Sequence, residues 1–167
     1  MHDELTEIDI KKMREEIDYL TKEVTPKLKV ELQRARDLGD LSENDEYRTV
    51  KRELNRNYSR IRYLTSMINT AVVIKIDSAD NHIGLFDRVT LFYEEDNDES
   101  PVTIVTTLRS DPLKGLISKE SPFGRALLGH KVGDRVKVDV SEKYSYYVVV
   151  RAIEKGVDDE SLEINSF

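Results

Sequence analysis

Asp40 and Glu43 are the residues of this chain best placed to do chemistry. They lie in "GDLSENDEY", Gly39 to Tyr47, a stretch with four carboxylates in nine residues. Three positions apart at a helix start, their oxygens can converge on one hard cation. Two carboxylates are too few for a tight magnesium site, so further ligands would come from water, substrate phosphates or another protein. A local reading competes with this one. Gly39 suits the left-handed end of a helix, Asp40 suits the N-cap of the next, and Glu43 completes a capping box, both acids being favoured at the positive helix end. Capping leaves Asp45 and Glu46 as additional acids. The residues alone leave both readings open.

Behind the acids the charge reverses. The run "RTVKRELNRNYSRIR" carries Arg48, Lys51, Arg52, Arg56, Arg60 and Arg62 against a single acid, Glu53. At 100° per residue all six are expected off the apolar seam, with Arg48, Arg52, Arg56 and Arg60 in one row. A solvated basic face is one reading, with Glu23 or Glu31 of the preceding helix as partners. A nucleic-acid backbone is the sharper one.

The elements that must hold these residues follow from periodicity. Met13, Ile17, Leu20, Val24, Leu28, Leu32, Ala35 and Leu38 recur in steps of three and four, which predicts a helix over 7–38. Tyr47, Val50, Leu54, Tyr58, Ile61, Leu64 and Ile68 predict a second over 41–69. The short link makes them antiparallel neighbours in a coiled-coil hairpin whose arms are about 45 Å long. Pro26 removes one backbone donor and is expected to bend the first arm. Such a hairpin buries one seam only and suits a reaching function.

Composition changes near residues 70–80. Residues 1–75 hold 15 Lys/Arg and 15 Asp/Glu; residues 76–167 hold 11 and 18, which accounts for the whole net charge of −7. The second part has six of the seven glycines and many Val, Ile and Thr. Strands are expected at 72–76, 88–93, 102–108, 135–140 and 144–153. "SPFGRALLG" reads as a short helix with Ser121 as N-cap, Pro122 first and Gly129 after its end. The fold class is therefore α+β. The domain boundaries are a hairpin at 1–75 with its acidic tip at 39–46, a sheet domain at 76–157, and an acidic tail at 158–167 to which no role is given. There is no cysteine, hence no disulfide or thiolate metal site. The N-terminus lacks a signal-peptide layout and no apolar run has membrane length, so a cytoplasmic protein is expected. His2, His82 and His130 form no ligand pattern. With no nucleophile triad and no phosphate-binding glycine loop, the chain is not expected to be an enzyme by itself.

"GDLSENDEY" resembles the tip motif of the bacterial transcript-cleavage (Gre) factors. "ISKESPFGRALLGHKVGDRVKV", Ile117 to Val138, is similar to that family's C-terminal signature, and the two come in the family's order and spacing over about residues 5–155. The resemblance implies an FKBP-like second domain and a monomer that inserts its coiled coil into the secondary channel of RNA polymerase. It implies that Asp40 and Glu43 help hold a Mg²⁺ shared with the polymerase and activate water, so that the polymerase hydrolyses its own backtracked transcript. It implies that Arg48, Lys51, Arg52 and Arg56 contact the extruded RNA 3′ end, and that Glu120, Ser121 and Pro122 dock on the channel rim. No cofactor of its own is implied. Asp45 departs from the family pattern, where a small residue is usual. Two alternatives stand beside this expectation. One is a Gre-like inhibitor that occludes the channel without cleavage. The other is a peptidyl-prolyl isomerase of FKBP-like fold, which would need an aromatic-lined pocket.

Overall fold

Periodic apolar residues at the start of the chain and alternating ones later give two different kinds of structure. A computed structural model describes residues 3–39, 44–76 and 81–166. It divides into Ile10–Ala71 and a second unit made of Asp3–Asp9 with Val72–Ser166.

The first unit is a helical hairpin. Its first arm runs through α1 (Glu7–Tyr19), a π-helical turn (Leu20–Val24) and α2 (Thr25–Asp37). Its second arm is α3 (Asp45–Thr70). Contacts pair Ala35 with Asn44, Thr25 with Asn57 and Glu16 with Arg60, so the arms are antiparallel. The chain before Pro26 departs from regular α-helix. Pro26 has no N–H and its ring crowds the carbonyl one turn back. The helix widens just before it, and both the backbone N–H and the hydroxyl of Thr25 donate to Leu20 O. This wide turn is the usual form of a π-bulge.

The buried seam of α3 is Val50, Leu54, Asn57, Arg60, Leu64 and Met67. Two expectations need correction here. Tyr58, Ile61 and Ile68 are only half-buried, and Arg60, expected on the solvated face, lies in the seam. On the first arm Met13, Thr25 and Ala35 are buried, whereas Leu38 is 64% exposed.

The second unit is built on a five-stranded sheet of β3 (Arg88–Tyr93), β4 (Asp98–Val105), β5 (Leu116–Ser118), β6 (Arg135–Ser141) and β7 (Tyr144–Glu154), in the order β5-β4-β3-β7-β6. All neighbours are antiparallel except β4 and β5. The sheet is therefore mixed. Bulges between Thr90 and Leu91, and between Asp139 and Ser141, interrupt the ladders and increase local twist. Val89, Leu91, Val102, Ile104, Val136, Val138, Val148 and Val150 face one core, closed by Leu127 from the short helix α4 (Pro122–Leu127). Gly124 of α4 is obligatory, because a Cβ there would meet Ser118 O at 2.1 Å.

Two strand expectations shift, and one strand is new. The strand at 72–76 is only β2 (Val72–Val73), paired in parallel with β1 (Glu4–Leu5). β4 starts earlier than position 102 and stops at Val105, after which Thr107–Arg109 form a 3₁₀ turn. β5 was not expected, since three residues carry no readable alternation.

Asp158 and Asn165 are tied into this unit. Thr6 and Asp9 form a reciprocal cap at the start of α1: the Thr6 N–H donates to Asp9 Oδ2 at 3.0 Å, and the Asp9 N–H to Thr6 Oγ1 at 3.2 Å. Asp9 Oδ1 also accepts from Arg109 Nε at 2.8 Å. Arg109 is 1% exposed. Its Nη1 donates to Asp158 Oδ1 at 2.5 Å, and Asp158 accepts from the Thr6 hydroxyl as well. The Asn165 N–H donates to Leu108 O at 2.7 Å. Among the described residues, no helix is long and apolar enough to cross a membrane.

Candidate functional site

Asp40 and Glu43 lie outside the described residues, as do Leu41 and Ser42 between them. The residues on either side define how the turn is entered and left. Gly39 has φ 133°, a conformation glycine takes without strain, and a Cβ there would meet nothing within 4 Å. The N-cap of α3 is Asn44, whose Oδ1 accepts from the Tyr47 N–H at 2.9 Å. This corrects the capping box expected from Asp40 and Glu43, since the cap is four residues further along. Asn44 also donates from Nδ2 to Ala35 O at 2.6 Å, so one amide caps the second arm and ties it to the first. Asp45 and Glu46 occupy the first turn of α3, where the helix dipole favours acids. An asparagine before two acids is a readable cap signal, but Asp40 offered an equally good one on local chemistry.

Behind the tip, Arg48, Lys51, Arg52 and Arg56 are all exposed on α3. Arg48 Nη1 stands 3.9 Å from Asp45 Oδ1, a loose pair. Lys51 and Arg36 lie 5.8 and 6.0 Å from the Tyr47 ring, one cation from each arm. Arg52, Asn55, Arg56 and Ser59 line an open recess. Arg62 is exposed and donates to Ser59 Oγ at 3.0 Å. The row stops at Arg56, because Arg60 turns into the seam. Its Nε and Nη2 donate to Glu16 Oε1 and Oε2 at 2.6 and 3.0 Å, and its guanidinium sits 5.7 Å from the Tyr63 ring.

In the second unit, Ser121 caps α4 as expected. Its Oγ accepts from the Gly124 N–H at 2.9 Å and donates to Ser118 O at 2.7 Å. Pro122 is exposed at the first helical position, and Glu120 pairs with Arg125 at 3.1 Å and Lys119 at 3.4 Å. Phe123, next in sequence, joins an aromatic ladder. Its ring centroid lies 6.3 Å from Tyr93 and 6.2 Å from Tyr146, and Tyr146 lies 6.0 Å from Tyr144. The Tyr144 hydroxyl donates to Glu95 Oε2 at 2.8 Å, and this bond raises its pKa. Burial raises those of Tyr93 and Tyr146. Beside the ladder, the Arg135 fork holds the Glu94 carboxyl below its ordinary value. The sequence singled out Ser121 and Pro122 but not the ladder, whose rings come from three separate elements.

Among the described residues, no group of three or more His, Asp or Glu side chains could hold a metal ion. Two family models match the chain. One describes the N-terminal part of a transcription elongation factor and covers residues 4–73; the other describes the C-terminal part of GreA/GreB and covers residues 78–155. The chain is 38% identical over 153 residues to the transcription elongation factor GreA of Oenococcus oeni, spanning 91% of this chain and 94% of that one. It is 41% identical over 139 residues to GreA of Bacillus licheniformis, spanning 80% and 85%. A solved structure, the GreA factor homolog 1 of Thermus thermophilus, aligns with 93% of this chain and all of that one at 26% identity, with a TM-score of 0.43.

Proposed function

This chain belongs to the GreA/GreB family of transcription elongation factors, and from that membership we propose how it acts. It inserts its hairpin into the secondary channel of bacterial RNA polymerase and stimulates the polymerase to hydrolyse backtracked nascent RNA. One observation supports this reading most. Arg48, Lys51, Arg52 and Arg56 are exposed along the arm that leads directly away from the Asp40–Glu43 segment. A reaching element carries an acidic end and a basic flank, suited to a metal ion and to the phosphates that follow it.

The division of labour follows from the residues. Arg48, Lys51, Arg52 and Arg56 hold the extruded RNA 3′ end through its phosphates, without reading bases. Asp40 and Glu43 bring two hard oxygen donors to the scissile bond and orient the attacking water. The cap of α3 is made by Asn44, and Asp40 and Glu43 would be the chain's ligands to a magnesium ion shared with the polymerase. That ion, when bound, supplies charge stabilisation for phosphodiester hydrolysis. Glu120, Ser121 and Pro122 form part of the surface that docks on the channel rim. The chain activates an active site that belongs to the polymerase.

The test is to incubate the protein with a stalled, backtracked elongation complex. Transcripts should shorten from the 3′ end, and the trimmed complexes should resume elongation. Intact RNA with suppressed intrinsic cleavage would overturn this reading in favour of a channel-occluding inhibitor.

A further inference from the structure

Three aromatic rings of the second unit each carry an arginine of the chain itself, and each arginine also holds a carboxylate. Arg135 stacks 3.6 Å over Tyr147 and donates to both Glu94 oxygens at 2.6 and 2.8 Å. Arg151 lies 4.9 Å over Phe92 and 3.4 Å from Glu99. Arg109 lies 5.1 Å over Phe86 and 2.8 Å from Asp9. A planar guanidinium satisfies a ring face and a carboxylate together, which an ammonium does less well.

The ladder of Tyr93, Phe123, Tyr146 and Tyr144 has rings and acids but, among the described residues, no cation of this chain over any ring. It borders a pocket of about 250 Å³ lined by Tyr93, Glu95, Asp96, Tyr144, Tyr146 and Tyr147. The lining comes from four tyrosines and two acids and includes no basic residue; the Tyr147 ring is already covered by Arg135, which leaves Tyr93, Tyr144 and Tyr146 as rings without a cation. The carboxylates make it a poor seat for a prolyl ring and a good one for a cation. Phe123, which follows Ser121-Pro122 directly, packs its ring against two tyrosines of the lining, Tyr93 and Tyr146.

We propose that this tyrosine pocket receives an arginine side chain of RNA polymerase, stacked on Tyr144 and Tyr146 and paired with Glu95 and Asp96. The partner's identity rests on the proposed function; the chemistry of the pocket does not. The arginine completes the ring-and-carboxylate arrangement that the second unit already builds three times with its own residues.

Two measurements test this on the full-length protein. The first is the affinity for core polymerase of Tyr144→Ala, of Tyr144→Phe and of the Glu95→Gln/Asp96→Asn double variant. The Tyr144→Ala and double variants should bind about tenfold more weakly, equivalent to about 1.4 kcal/mol. Tyr144→Phe, which keeps the ring face, should bind like wild type, and cleavage at saturating factor should be unchanged in all three. The second measurement titrates N-acetyl-arginine amide, with the lysine analogue as comparison, and follows the tyrosine ring resonances. Arginine should move Tyr144 and Tyr146 in the wild type, lysine should move them less, and the double variant should not respond.

If wild type fails to bind polymerase, the proposed function falls and the arginine titration alone judges the pocket. Unchanged polymerase affinity in the variants overturns the polymerase arginine. Lost affinity without arginine-induced shifts overturns the arginine itself.

Discussion

Arg56 and Arg60 are one helical turn apart on α3 and end in different places. Arg56 is exposed, while Arg60 is buried against Glu16. The sequence placed both on the solvated face, because four steps of 100° separate them by only 40° around the helix. The acid that draws Arg60 inward lies 44 residues earlier on the other arm. Nothing on α3 itself announces that pairing. Arg60→Ala should therefore leave Glu16 half-buried without its fork and cost about 3 kcal/mol of stability. Arg56→Ala should change stability by less than about 0.5 kcal/mol. Urea unfolding of the two variants measures this, and similar midpoints would contradict the assignment. The same limit explains the misplaced cap. Asp40 and Asn44 are both good N-caps, and what favours Asn44 includes its bond to Ala35 O on the other arm. Ser121 was legible because its cap partner, Gly124, lies within the same short motif.

Both arms of the hairpin were legible from their apolar periods, and so was the disturbance at Pro26. What periodicity could not show is the polar layer it creates. Asn57 Nδ2 donates to the Thr25 hydroxyl at 2.5 Å inside the seam, and Asn57 Oδ1 is buried without a hydrogen-bond partner. A buried polar pair in a helical seam fixes register at some cost in stability. Asn57→Leu should raise stability by about 1 kcal/mol, since it removes an unsatisfied polar atom. It should also lower the cleavage rate at saturating factor, because the tip is no longer held at one register. A less stable variant, or one with full cleavage, would sink this account of the layer. The exposed face of α3 has its own signature. Replacing Arg48, Lys51 and Arg52 together by Ala should impair cleavage most in extensively backtracked complexes, which expose more phosphates, and the defect should shrink with salt as wild-type contacts weaken. An equal loss at every backtracking distance and salt concentration would mean that this face does not hold RNA.

At the scale of the whole chain, composition changes near residues 70–80, and the two units meet in sequence at Ala71 and Val72. Asp3–Asp9 group with the second unit, through the pairing of β1 with β2 and the buried Arg109–Asp9 bond. A seven-residue segment has too little composition of its own to reveal that. The acidic tail was equally silent, since Asp158 acquires a role only when folding brings Arg109 and Thr6 to it. Truncation after Gly156 should leave Arg109 with one carboxylate instead of two and cost about 3 kcal/mol. Because the ion pairs are buried, the loss should depend little on salt. Thermal unfolding at low and high salt measures it, and an unchanged midpoint would mean that the tail merely lies on the surface.

The central claim is that Asp40 and Glu43 act on a reaction rather than on the fold of their own turn. The most direct measurement compares Asp40→Asn/Glu43→Gln with Asn44→Ala in RNA cleavage by a backtracked complex and in affinity for polymerase. Asn44→Ala should lose about 1 kcal/mol of stability through its cap and retain most of its cleavage. The double variant should bind polymerase nearly as wild type does and stimulate almost no cleavage. Normal cleavage by the double variant would contradict the account.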